Sequence, residues 1–190
     1  IEKVAAASHA VGVLVAVDNT FLSPLLQQPL KLGADIVFHS TTKYINGHSD
    51  VVGGVLVTKT VELGEQLAWW ANCIGITGSA FDSFLALRGL KTLPVRLKQH
   101  QENATKVAYF LKEHPAIQTV YFPGLPEHVG HSIAKKQQAG FGAMLSFEIK
   151  GGTDAVKKLF DNLELFTLAQ SLGGVESLIS HPSTMTHAGM

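Results

Sequence analysis

The segment ADIVFHSTTKYINGHSDVVGGVLVTK, residues 34–59, sets Lys43 directly behind Ser40, Thr41 and Thr42 and between two apolar runs. A neutral lysine amine forms a Schiff base with an aldehyde. Neighbouring hydroxyls do not activate an amine, but they donate hydrogen bonds to anions such as phosphate. An aldehyde that also carries a phosphate would use both features, and pyridoxal phosphate is such a molecule. Its ring nitrogen needs a carboxylate partner, because the protonated ring is the electron sink for carbanions. Asp18, in the stretch DNT, is the candidate. On spacing alone the plainer reading stays open: a lysine after a strand is commonly solvated, and Asp-Asn-Thr makes a turn without any ligand.

The elements around these residues would place them well. VGVLVAVDNT (11–20) reads as a buried parallel strand, ADIVFHS (34–40) as a second strand, and VVGGVLVTK (51–59) as a third. Between the first two, SPLLQQPLKLG (23–33) predicts a short helix with Ser23 as cap, Pro24 at its first position, a strain at Pro29 and a stop at Gly33. Strand, helix, strand implies an α/β layer architecture, in which ligands gather outside the carboxyl ends of the strands. Asp18 and the Ser40–Lys43 group fall at two such ends.

Further along, helical patterns are predicted at 80–93, ended or kinked by Pro94, and at 96–115, with Val107, Phe110 and Leu111 on one face. MLSFEIK alternates as a strand with one wet face, residues 153–163 predict a helix capped by Thr153 or Asp154, and 165–171 predicts another strand. A boundary near Pro94 would separate a parallel-sheet part, residues 1–94, from a smaller α+β part, residues 95–190. Trp69 and Trp70 are adjacent on a helical pattern, so one is expected inside and the other at a contact surface.

Of the 190 residues, 46% are hydrophobic and 16% charged, which supplies a core and argues against disorder. The formal net charge of zero gives no footprint for nucleic acid, and no apolar run approaches the roughly 18 residues of a membrane span. A single cysteine, Cys73, and no secretory pattern point to a reducing cytoplasm. The termini read as those of a piece of a longer chain. His39, His48 and Asp50, or His181 and His187, could suggest a metal, but neither set has a ligand spacing, and no metal is expected. Phosphate-loop and nucleophile-elbow motifs are absent.

DNTFLSPLLQQPLKLGADIVFHSTTKYINGHSDVVGG resembles the cofactor-lysine region of the Cys/Met-metabolism family of pyridoxal-phosphate enzymes. AWWANCIGITGSAFDSFLALRGLKTL, QQAGFGAMLSFE and LFTLAQSLGGVESLISHPSTMTHAGM resemble its bacterial cystathionine γ-synthase branch, in the expected order and over essentially the whole chain. The resemblance implies the fold-type-I, aminotransferase-like architecture, with a mostly parallel sheet in the large domain and a small α+β C-terminal domain. It implies pyridoxal phosphate as a Schiff base on Lys43, Asp18 on the ring nitrogen with Thr20 in support, and Ser40 and Thr42 on the phosphate. Thr41 would point to the other side if the backbone stays extended. Ser171 and the backbone of Leu172 would line the substrate site.

The implied reaction is γ-replacement, an O-succinyl- or O-acetylhomoserine and cysteine giving cystathionine. Lyase activity on cystathionine or methionine is the nearest alternative, and a non-catalytic interaction module that keeps the scaffold is the alternative from another class. The family pattern implies a homotetramer built as a dimer of dimers, with small amino acids as ligands and no nucleic acid or membrane. Gln170 stands where many γ-synthases would carry glutamate. The Gly-rich phosphate turn and the carboxylate-binding arginine would lie outside these residues, so the 190-residue piece alone is expected to be inactive.

Overall fold

In the computed structural model, which describes residues 1–186, two parallel strands carry the candidate site and the helices build outward from them. The first part of the chain runs α1 (Glu2–His9), β1 (Ala16–Asp18), α2 (Ser23–Leu26), a 3-10 turn (Pro29–Leu32), β2 (Ile36–Ser40), a π-helical turn (Thr41–Ile45) and β3 (Gly54–Thr58). Three helices follow: α3 (Val61–Ile74), α4 (Ala80–Leu90) and α5 (Leu93–Glu113). The remainder is β4 (Ile117–Tyr121), α6 (His131–Gln137), β5 (Ser146–Ile149), α7 (Gly152–Asp161), β6 (Thr167–Leu168) and β7 (Leu178–Ile179).

β1 and β2 pair in parallel with Asp18 opposite Phe38, so both strands end at the same edge of the sheet. β3 pairs with β2 antiparallel, His39 opposite Val55, so the third strand returns toward the other edge. The crossover between β1 and β2 is not one helix. Pro29 lacks the N–H that would continue α2, and the chain restarts as the 3-10 turn that Gly33 ends with φ of 97°. Ser23 is not an ordinary cap either: its φ is 58°, and its Oγ accepts from the Leu25 amide at 3.2 Å.

Proline also acts differently at the next junction. α4 stops at Leu90, and Pro94 lies in the first turn of α5, where a missing N–H costs nothing. Leu93, Leu97, Ala104 and Ala108 form the buried stripe of α5. Phe110, expected on that stripe, is 66% exposed, while Val107 and Leu111 are half-buried. The alanines at 104 and 108 leave room for Phe122 and Leu125, which complete one core cluster. The other end of α5 gives Leu93 and Leu97 to a second cluster with Leu26 and Tyr44. The expected division at Pro94 thus falls inside the helix that joins the two clusters.

β4 and β5 form an antiparallel pair, with Phe147 and Ile149 half-buried and Ser146 and Glu148 exposed, as their alternation predicts. α7 has Gly151 at its cap, φ 97°, with no side-chain cap bond, so neither Thr153 nor Asp154 takes that role. The strand expected at 165–171 shortens to Thr167–Leu168, paired in parallel with β7. Much apolar surface of the sheet and of α3 and α4 is open. Val55, Leu56, Val57, Phe81, Phe84 and Leu87 are all exposed, and Trp69 and Trp70 are both exposed and meet edge-on at 4.8 Å. Neither tryptophan packs inside, and the strands expected to be buried are covered only in part. Among the described residues no helix is long and apolar enough to cross a membrane.

Asp35, at the start of β2, ties three elements together. Its Oδ2 lies 2.7 Å from His9 Nε2 of α1 and accepts the Val15 amide at 2.8 Å, and Lys59 Nζ sits 4.0 Å from its Oδ1. The His9 hydrogen bond, then the Val15 amide, hold this carboxyl below its ordinary value of 3.8. A depressed carboxylate pKa stabilises the fold above the unfolded value, and that stability is lost as pH falls through the folded one. The thermal midpoint should therefore drop below about pH 4, and Asp35→Asn should lower it at pH 6 while flattening the acid limb. Leu97, 1% exposed, should cost about 2–5 kcal/mol on truncation to alanine, read by urea unfolding of the full natural protein.

Candidate active site

DNT at the end of β1 works as three separate devices. Asp18 is exposed at the sheet edge, and its Oδ1 accepts the Thr20 amide at 2.9 Å. Asn19 turns inward, 2% exposed, where its Nδ2 donates to Ser23 O at 2.9 Å and Gln27 O at 2.8 Å. Its Oδ1 accepts from Gln27 Nε2 at 3.0 Å, so the buried amide is satisfied and the crossover is pinned behind Asp18. Thr20 is buried, and its Oγ1 accepts the Ser40 amide at 2.8 Å. One threonine thus joins the aspartate on β1 to the serine at the end of β2. The sequence motif offered Asp18 and Thr20; it hid the structural work of Asn19.

After Ser40 the backbone does not stay extended. It closes into the π-helical turn, with Asn46 N bonded to Thr41 O at 3.1 Å and Gly47 N to Lys43 O at 2.8 Å. Lys43 itself has non-helical φ and ψ of −97° and −129° inside that turn. Thr41 is buried and Thr42 half-buried. The extended backbone expected to point Thr41 away from Ser40 and Thr42 is replaced by the turn, and both threonine hydroxyls lie beside Gly53. Thr42 Oγ1 accepts the Gly53 amide at 3.0 Å and donates to Gly53 O at 3.4 Å, so the hydroxyl is held on the Gly53 backbone.

Tyr44 is 2% exposed and packs with Leu26, Leu93 and Leu97, its ring meeting His100 edge-on at 5.7 Å. Burial pushes its phenol up to about 12. Its preceding neighbour, Lys43, points elsewhere: Nζ donates to Ser171 Oγ at 2.8 Å, across 128 positions of sequence. Ser171 has φ of 97°, an unfavourable conformation for a residue with a side chain. Leu172 packs against the Tyr44 cluster. Gly173, φ 79°, comes so close that a Cβ there would sit 2.5 Å from Tyr44 N. Ser49 Oγ donates to Glu176 Oε2 at 3.0 Å, a second tie between the two segments. Gln170 Nε2 donates to Met185 O at 3.2 Å.

An amine, a pair of hydroxyls and a carboxylate therefore gather at the carboxyl ends of two parallel strands. That donor set fits a phosphate-bearing aldehyde with a basic ring nitrogen. His39, behind this edge, is 4% exposed, and its Nδ1 has no partner. Burial pushes its imidazole below the ordinary 6.5, against the opposing pull of Asp18 and the Asn19 backbone. Among the described residues no group of three or more His, Cys, Asp or Glu is placed to hold a metal. Asp50 Oδ1 instead accepts from Asn46 Nδ2 at 2.7 Å, and His48 Nδ1 lies 2.7 Å from Asn46 O. His187 lies outside the described residues.

The chain is 57% identical over 190 residues to cystathionine γ-synthase of Escherichia coli (strain K12), covering 100% of this chain and 49% of that one. It is 54% identical over 190 residues to cystathionine γ-lyase of Dictyostelium discoideum, again covering 100% of this chain and 49% of the relative. The crystal structure of cystathionine γ-synthase from Xanthomonas oryzae pv. oryzae in complex with aminoacrylate and cysteine matches with a TM-score of 0.98 and 61% identity. That match covers 100% of this chain and 49% of the crystallised one. The chain spans about half the length of the relatives it matches. The model of the Cys/Met metabolism PLP-dependent enzymes matches residues 1–190, and with that full-length match the chain belongs to this family.

Proposed function

We propose that the protein catalyses γ-replacement: an O-succinyl- or O-acetylhomoserine and L-cysteine give cystathionine and the free carboxylate. The Cγ–O bond of the ester breaks, a Cγ–S bond forms, and the thiol proton leaves with the carboxylic acid. The observation that carries this reading is the 2.8 Å contact from Lys43 Nζ to Ser171 Oγ. It sets the strand-end amine against a segment that resembles a substrate-lining loop. The γ-synthases of Escherichia coli and Xanthomonas oryzae support the synthase reading. The relative named cystathionine γ-lyase supports a second one, elimination from cystathionine by the same groups.

The residues fit the cofactor of the family. Lys43 would hold the aldehyde carbon, Ser40 and Thr42 the phosphate, and Asp18 the ring nitrogen, with the Thr20 amide holding the carboxylate in place. Pyridoxal phosphate, when bound, supplies the electron sink that lets a proton leave the substrate Cα. Lys43 Nζ then takes the Cα proton and moves protons at Cβ and at the leaving oxygen. Ser171 Oγ holds the amine in range, and the half-buried Leu172 side chain, packed on the Tyr44 cluster, keeps its own backbone beside the substrate. Gln170 presents a neutral amide next to Ser171, already engaged with Met185 O.

Residues 1–94 would belong to the cofactor-binding domain and 95–190 to most of the small domain, with the cluster of Leu26, Tyr44, Leu93 and Leu97 spanning the boundary. The whole protein is proposed to act in the cytoplasm as a homotetramer built as a dimer of dimers. The open apolar faces of the sheet, α3 and α4 would be covered there. By itself the 190-residue chain should show no turnover.

Product analysis with and without cysteine tests the reading. A γ-synthase forms cystathionine only with the thiol; keto acid and ammonia from cystathionine at an equal rate would make the protein a lyase. Ser171→Ala should lower kcat about 10-fold, the loss of one hydrogen bond of roughly 1.5 kcal/mol. Asp18→Asn should cost at least about 100-fold, measured as kcat/KM at saturating cofactor. Gly173→Ala should weaken the contact between the loop and the turn and raise KM for the homoserine ester, seen in initial rates.

A further inference from the structure

Lys43 sits in a short turn whose last carbonyls have no partners within the turn itself, a general feature of helical ends. Three backbone oxygens converge there on one side chain. Arg96, from the first turns of α5, donates Nη1 to Tyr44 O at 2.9 Å and Nη2 to Ile45 O at 3.4 Å. The same Nη2 donates to Gly89 O at 2.8 Å, near the end of α4. Nε donates to Thr92 Oγ1 at 3.0 Å, which locks the guanidinium plane from behind. The planar fork of arginine matches this set of acceptors; a single ammonium cannot reach them all in one geometry.

The backbone around the fork is fitted to it. Gly89 is buried, and a Cβ there would lie 2.7 Å from Ile45 O, so α4 can come this close only with glycine. Gly47, φ 71°, closes the turn against the guanidinium, and a Cβ there would overlap Arg96 Nη1. Arg96 is half-buried, and among the described residues it has no ion pair with a carboxylate. Its charge is spent on carbonyl oxygens. Burial pulls its guanidinium below its ordinary value, and its charge adds to the burial that lowers His100 alongside.

We infer that Arg96 is a positioning residue for Lys43: it caps the turn that carries the lysine and anchors that turn to the α4–α5 junction. Tyr44 and Ile45 follow Lys43 directly, so fixing their carbonyls fixes the base from which the lysine side chain starts. The inference rests on the proposed catalytic role of Lys43 for its kinetic consequence, and on the hydrogen bonds alone for its structural one.

The test uses the full natural protein as wild type, Arg96→Ala and Arg96→Lys. Amide exchange is followed without cofactor, and initial rates are followed with it. In Arg96→Ala the amides of Asn46 and Gly47, which close the turn, should exchange at least 10-fold faster, with those of β4 and β5 unchanged. In the loaded enzyme kcat should fall at least 10-fold with KM for the homoserine ester within about twofold, and added guanidinium ion should restore part of kcat. Arg96→Lys should recover less than half of either loss, and it makes the same comparison if the alanine variant does not fold. Unchanged exchange at Asn46 and Gly47 would overturn the proposal. So would faster exchange throughout the protein with kcat per folded molecule unaltered. If the wild type shows no turnover, the functional reading fails, and the exchange comparison still decides whether Arg96 holds the turn.

Discussion

Tyr44 goes into the core among Leu26, Leu93 and Leu97, and Lys43, one residue earlier, reaches Ser171. Burying the ring gains on the order of 2 kcal/mol from apolar area alone, and it gives the turn a fixed base on its inner side. The lysine's outward direction follows, because neighbouring side chains in a tight turn cannot share one direction. Around this base the chain adds three supports of different kinds. Thr20 joins the ends of β1 and β2, Gly173 permits the close approach of the Ser171 loop, and Arg96 takes the turn's free carbonyls.

The parallel pairing of β1 and β2 is the second constraint. Parallel strands need a crossover, and a crossover must return the chain to the same edge. Thr20 and Ser40 are brought side by side for that reason, although 20 residues separate them in sequence. The crossover is short and interrupted by Pro29, so it cannot be held by helical hydrogen bonds alone. Asn19 and Gln27 exchange side-chain bonds across it instead, in a buried and fully paired set. Polar groups in that place stabilise by satisfaction as much as by attraction, since an unpaired buried amide costs about 1–3 kcal/mol.

Much of this was legible before any coordinates. Strand ends follow from residue types and spacing, which also made the hydroxyls ahead of Lys43 and the carboxylate of Asp18 candidates while leaving the plainer reading open. The resemblance added Ser171 and Leu172, which no local pattern could bring to the lysine. What stayed hidden depended on partners distant in sequence. Arg96 looks like any surface arginine on a helix until Gly89 and the turn are set beside it. Phe110 fits the helical stripe by period, yet small alanines at 104 and 108 won the buried face because Phe122 and Leu125 needed the room. Prolines at 29 and 94 were visible as breaks, but which side of a break they serve depends on the local hydrogen bonds.

The central claim is that Lys43 carries the aldehyde of pyridoxal phosphate, and the most direct measurement is borohydride reduction of the cofactor-loaded natural protein followed by peptide mass mapping. A pyridoxyl mass on the peptide containing Lys43, and on no other lysine, is the result this account requires. An unmodified Lys43 in folded protein supplied with the cofactor would contradict it, and the site would then be a scaffold that keeps the geometry without the chemistry.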